Sequence, residues 1–185
     1  MGFDIHGMDP VMRQPDPDKY PTYEKYHDME WGKRQELFDK EDNLENQFYQ
    51  EMRDRENENP GVYFRNNVWW WRPLWVYVCG ECEDILDPED YEGGSSNDGH
   101  EISADKAVLI AKRLYELIDS GDAKGFEDYH KKKMKEAEEN NARAEKEDGK
   151  KYGDNWDWSD SYPFAVDNVR AFADFCAESG GFEIC

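Results

Sequence analysis

Val62 to Cys79 reads V-Y-F-R-N-N-V-W-W-W-R-P-L-W-V-Y-V-C, and no other segment of the chain is as apolar. It holds Trp69, Trp70, Trp71 and Trp75, four of the seven tryptophans. Nearly everything around it is acidic and polar. The 185 residues include 44 Asp and Glu against 23 Lys and Arg, for a net charge of −21. Hydrophobic residues make up 37% of the chain and aromatic ones 15%. The core must therefore be small and filled largely by rings, since an aromatic side chain buries more area than an aliphatic one. The length suits a single domain over residues 1–185.

Working outward, Val62–Arg65 reads as a strand and Asn66-Asn67 as a turn or a helix start. Helix is expected after Pro73, because proline is tolerated in a first helical turn. Trp71, Leu74, Trp75 and Val78 would then share one face. The two chain ends, Gly2-Phe3-Asp4-Ile5 and Gly181-Phe182-Glu183-Ile184, resemble each other. Each is too short a strand to stand alone, so they are expected to join Val62–Arg65 in one small sheet. The fold class that follows is α+β, mainly helical, with a small sheet joining the N- and C-terminal strands.

Between these strands the helices are read from apolar spacing. Asp9–Pro21 carries four prolines and reads as a loop. Tyr23, Tyr26 and Met29 share a helical face, and Gly32 is an expected break. Leu37, Leu44, Phe48 and Met52 predict one helix over about Lys33–Glu56. Residues 11–59 thus read as a helical hairpin inserted before the aromatic segment. Asp87–Gly99 reads as an acidic loop. Ser103 is an expected N-cap, followed by the stripe Ala107, Ile110, Ala111, Leu114, Leu117 and Ile118 and a stop at Gly121. Gly125 to about Lys146 starts with Phe126, Tyr129 and Met134, then becomes nearly all charged, and reads as a helix held by Lys/Glu pairs, or as partly mobile. Gly149–Ser161 reads as a loop bringing Trp156 and Trp158 to the body. Asp167 is an expected cap for a last helix with Val169, Phe172, Ala173, Phe175 and Cys176 facing inward.

The charge bounds the partners. A net charge of −21 repels polyanions and disfavours direct binding to nucleic acid or an anionic membrane. The acids are spread along the chain and mixed with lysine, which argues against a nucleic-acid mimic. No run approaches the ~20 apolar residues that cross a bilayer. Met1-Gly2-Phe3-Asp4 has no character of a secretory leader. Four cysteines without a framework pattern fit a reducing compartment, so the expected location is the cytoplasm.

Chemistry-bearing motifs are few. Cys79-Gly80-Glu81-Cys82 is one C-x-x-C, where a zinc ribbon needs two, so zinc on Cys79 and Cys82 is only an option and no cofactor is expected. The four histidines show no H-E-x-x-H spacing. Asp4, His6, Asn97, Asp98, His100 and Glu183 converge if the termini meet the 93–100 loop. Arg65, Asn66, Asn67, Trp71 and Arg72, with Asn97, Asp98 and His100, offer aromatic walls and hydrogen-bonding groups suited to a nucleotide-like or other anionic ligand. The competing reading is internal Arg–carboxylate pairing. No phosphate-binding glycine motif and no catalytic triad is present.

Tyr63-Phe64-Arg65-Asn66-Asn67-Val68-Trp69-Trp70-Trp71-Arg72-Pro73-Leu74-Trp75, Asn97-Asp98-Gly99-His100 and Tyr162-Pro163-Phe164 through Ser179-Gly180-Gly181-Phe182-Glu183-Ile184 resemble signatures of an uncharacterised phage and bacterial protein family. That family carries cysteine pairs in the region matching Lys131–Trp158, where this chain has none. The resemblance implies a phage or prophage origin and supplies no catalytic residues. Two function classes follow. One is a non-enzymatic acidic binder or inhibitor of a host defence or nucleic-acid-handling protein, engaging a basic surface of that partner. The other is a small-ligand binder or enzyme using the Arg/Asn/Trp pocket.

Overall fold

Asn67 sets where the aromatic helix begins. Its backbone is extended, and its side-chain oxygen accepts the N–H groups of Trp69 at 3.0 Å and Trp70 at 3.1 Å. These are donors that a first turn leaves unpaired. In the computed structural model, which describes residues 2–148 and 161–185, helix α4 therefore runs Val68–Glu81. This corrects the expectation of a start at Pro73, which lies inside the helix and lacks the N–H that Trp69's carbonyl would accept.

The chain divides into two compact units, Met1–Pro10 with Gly61–Cys185, and Val11–Pro60. The first unit is built on a four-stranded antiparallel sheet of order β2-β1-β4-β3. Its strands are β1 (Gly2–Gly7), β2 (Tyr63–Asn67), β3 (His100–Ile102) and β4 (Phe182–Ile184). The chain ends do pair, Ile5 with Ile184 and Gly7 with Phe182, and Phe3 pairs with Asn66 across β2. The β3 strand is an addition to the expected sheet.

Because side chains alternate across a sheet, the register fixes two faces. Phe3, Ile5, Phe182, Ile184 and Ile102 are buried on the inner one. Trp71 stacks on Phe3 at 5.4 Å and on Trp75 at 5.3 Å, with Phe172 edge-on at 5.5 Å. Phe172 and Phe175 come from α8 (Val166–Glu178) and also meet Phe64 and Phe182. Helix α6 (Ala104–Ser120) buries Ala107, Ile110, Ala111 and Leu114. It is capped by Ser103 and stops at Gly121, whose φ of 88° suits a residue without a side chain.

Helix α7 (Asp122–Asp148) begins three residues before its expected start. It carries lysine–glutamate pairs such as Lys124–Glu127 and Lys131–Glu127. In α8 the N-cap is Ala165 rather than Asp167, which lies in the first turn, where its charge still favours the helix. Helix α5 (Pro88–Gly93) replaces part of the expected Asp87–Gly99 loop. The Trp156 and Trp158 loop lies outside the described residues.

The second unit holds a 3₁₀ turn (Pro17–Lys19), α1 (Pro21–Tyr26), α2 (Trp31–Phe38) and α3 (Leu44–Glu56). The single helix expected over Lys33–Glu56 is thus two, separated by a turn in which Asn43 takes φ 68°. Asparagine tolerates that left-handed backbone better than most residues. Gly32 lies inside α2 and does not break it. Tyr26, Phe38 and Phe48 form the core. The Glu51 carboxylate accepts the N–H groups of Thr22 at 2.7 Å and Tyr23 at 2.8 Å, capping α1 from another helix. Asn59 closes the unit by exchanging two hydrogen bonds with the Arg13 backbone.

Candidate functional site

The register separates residues that the sequence groups together. On β1, Asp4 and His6 alternate with buried Phe3 and Ile5, so they face outward with Tyr63, Arg65, Glu183 and Glu101. Arg65 Nε lies 3.5 Å from Asp4 Oδ1, which also accepts the Tyr63 hydroxyl, and the His6 and Tyr63 rings are 5.1 Å apart. His100 pairs with Ile184 and faces inward, so it does not join Asp4, His6 and Glu183. Asn97 donates to the Gly2 carbonyl at 2.8 Å, and Asp98 is exposed.

The remaining residues of the expected pocket differ in burial and in partners. Asn66 is buried and donates to Asn168 Oδ1 at 2.9 Å. Asn67 is occupied as the α4 cap. Trp71 is fully buried and its indole N–H donates to the Gly94 carbonyl at 2.7 Å. Arg72 is exposed. Among the described residues, each of these polar groups except Arg72 and Asp98 meets a protein partner.

A buried and well-connected polar group of the first unit is one that sequence reasoning missed. Asp90 of α5 is 4% exposed. Its Oδ1 meets His100 Nε2 at 2.9 Å, and its Oδ2 accepts Lys106 Nζ at 2.6 Å and the Asp87 N–H at 2.8 Å. Burial pushes the Asp90 carboxyl up, but the Lys106, Asp87 and His100 hydrogen bonds outweigh it and hold its pKa below the ordinary value. Lys106 is raised by its bonds to Asp87 and Asp90. The His100 ring lies flat on Gly93, where an added Cβ would come within 2.2 Å of it. The Trp75 indole N–H donates to the Tyr91 carbonyl at 3.2 Å. One carboxylate therefore ties α5 to β3 and α6, while two indoles tie it to α4. The signal was Asp87-Pro88-Glu89-Asp90, with proline at the first helical position and acids in the first turn.

Cys79 and Cys82 sit at the end of α4, one half-buried and one buried. Burial pushes both thiols up to about 12, so neither is poised as a nucleophile at neutral pH. Cys176 is buried and likewise raised by burial, with Cys82 adding to it. Among the described residues, no three His, Cys, Asp or Glu side chains are placed to hold a metal ion.

The surface has one strong electrostatic feature. Between Arg72 and Lys106 the chain contains no Lys or Arg, yet Glu81–Asp105 carries acids throughout. Lys106 takes Asp87 and Asp90, and Arg113 takes Asp84. Glu83, Glu89, Glu92, Asp98, Glu101 and Asp105 are exposed. No helix among the described residues is long and apolar enough to cross a membrane. Set against family models, curated proteins and solved structures, the chain matches none.

Proposed function

We propose that this chain is a non-enzymatic, phage-type accessory protein that acts in the bacterial cytoplasm by binding a host protein. The partner class is a defence or nucleic-acid-handling protein with a basic surface. The observation that carries the reading is the cation-free acid run Glu81–Asp105, most of it exposed on the first unit. Such a surface speeds encounter with a basic partner and rejects acidic ones. The groups that a small-ligand pocket would need support the same conclusion. Asn66, Asn67, Asn97, Trp71 and His100 each hydrogen-bond inside the fold.

The test is capture of host proteins on the immobilised chain, followed by affinity measurement of the captured partner across a salt series. Affinity is expected to fall steeply with salt, because exposed charges are screened within ~10 Å at 0.1 M. The double charge reversal Glu89→Lys with Glu92→Lys is expected to weaken it further. Salt-independent affinity, together with a stoichiometric small molecule seen by native mass spectrometry, would refute the reading.

A further inference from the structure

Helix α4 is apolar around most of its circumference, yet among the described residues one stripe of it is largely exposed, with only Trp69 meeting another ring, that of Tyr162 edge-on at 4.8 Å. Trp69, Arg72, Val76 and Gly80 follow at steps of three, four and four residues, the spacing of neighbours on one helix face. Trp69 is 49% exposed and Val76 69%. Arg72 and Gly80 are exposed, and a Cβ built on Gly80 meets no atom within 4 Å. The stripe runs from the α4 N-terminus directly into the acid run, because Glu81 follows Gly80. Helix α5, held beside α4 by the Trp75–Tyr91 hydrogen bond, adds exposed Glu89 and Glu92.

Building on the acidic-binder reading, we propose that this stripe seats a basic amphipathic helix of the partner. The partner's apolar face rests on Trp69 and Val76, and its backbone comes close at Gly80, where no side chain intervenes. Its lysines and arginines lie over the acids at the end of α4 and on α5. Charge selects this occupant. A second copy would bring another −21 onto an already acidic face, and an anionic membrane is repelled for the same reason. Charge also sets the direction. The positive N-terminus of the docked helix lies toward Glu81, and its negative C-terminal end toward Arg72, antiparallel to α4.

The test uses a fluorescein-labelled helical peptide of leucine and lysine, about 14 residues or ~21 Å long, enough to span the ~16 Å stripe. A scrambled peptide of the same composition, with no apolar face, is the control. Fluorescence anisotropy should show the amphipathic peptide binding at least tenfold more tightly than the scramble. Val76→Gln and Trp69→Gln should each weaken it about tenfold, the worth of one buried apolar side chain. Val76 makes little contact in the free protein, so an unchanged melting curve for Val76→Gln shows that the variant is folded. Equal binding of both peptides, undisturbed by Val76→Gln, overturns the docking site while leaving the acidic-binder reading standing. Failure of both peptides to bind at low salt overturns both readings. A dimer in sedimentation that Val76→Gln dissociates assigns the face to a second copy and overturns the proposal.

Discussion

Replacing Asp90 tests whether one carboxylate holds the α5 segment in place. Asp90→Ala removes three hydrogen bonds at once and leaves the Asp87 N–H unpaired. Breaking a buried charge pair by deleting one partner costs about 3–5 kcal/mol. The lower end applies here, because Lys106 is 26% exposed and keeps Asp87 at 2.6 Å. The expected loss is therefore about 3 kcal/mol, or a drop of roughly 10 °C in melting temperature for a chain of this size. Asp90→Asn keeps the shape. Its amide can accept from Lys106 and the Asp87 N–H while donating to a neutral His100, so only the charge-assisted part is lost, about 1–2 kcal/mol.

The pH dependence gives a second handle on the same bond. The folded pKa of Asp90 is depressed, so its contribution is present above the unfolded carboxylate value near 4 and is lost as pH falls through the folded value. The gap between wild type and Asp90→Asn should accordingly be full at pH 7 and should close in strong acid. The assay is urea unfolding followed by tryptophan fluorescence, with NMR exchange of the Trp71 and Trp75 indole protons, which donate to the α5 segment. Faster exchange of both in Asp90→Ala is expected. A loss under 1 kcal/mol with both indole protons still protected would refute the account of Asp90 as a junction.

Three further outcomes follow from single contacts. Tyr77 has a buried hydroxyl with no hydrogen-bond partner among the described residues, so Tyr77→Phe should raise stability by about 1 kcal/mol in the same urea assay; destabilisation would reveal a partner for that oxygen. Gly94→Ala places a methyl 2.1 Å from the Trp75 ring and should cost about 1–3 kcal/mol with a shift in tryptophan emission, whereas an unchanged spectrum and stability would mean the ring has room to move. In the second unit, burial raises Glu51 but the Tyr23 and Thr22 N–H groups lower it further, so its capping of α1 is present at neutral pH and lost in acid. Glu51→Gln should cost about 1 kcal/mol at pH 7 and speed amide exchange at Thr22 and Tyr23, and equal exchange rates in both proteins would contradict it.

What the sequence discloses depends on how many residues carry each signal. Helix α6 is long enough for its 3.6-residue stripe, its Ser103 cap and its Gly121 stop all to register, and the terminal strands show in the alternation of Phe3 and Ile5, Phe182 and Ile184. A six-residue helix and a three-residue strand cannot display a period, so α5 and β3 were hidden even though Asp87-Pro88 marked a helix start. The α2–α3 break was hidden for a different reason. The spacing from Leu37 to Leu44 is seven residues, which mimics one continuous helical face, and the interruption is a five-residue turn, residues 39–43, that ends on the left-handed backbone of Asn43. At α4 two start signals competed. Proline restricts its own φ, whereas Asn67 satisfies two backbone donors, and the donors decided. The site was misgrouped by the same missing strand. Parity along β1 and β4 already places Asp4, His6 and Glu183 on the face opposite Ile5 and Ile184. Only the pairing of His100 with Ile184 reveals that this histidine lies on the inner face, against Asp90, where its partner is a carboxylate from a helix too short to be seen in the sequence.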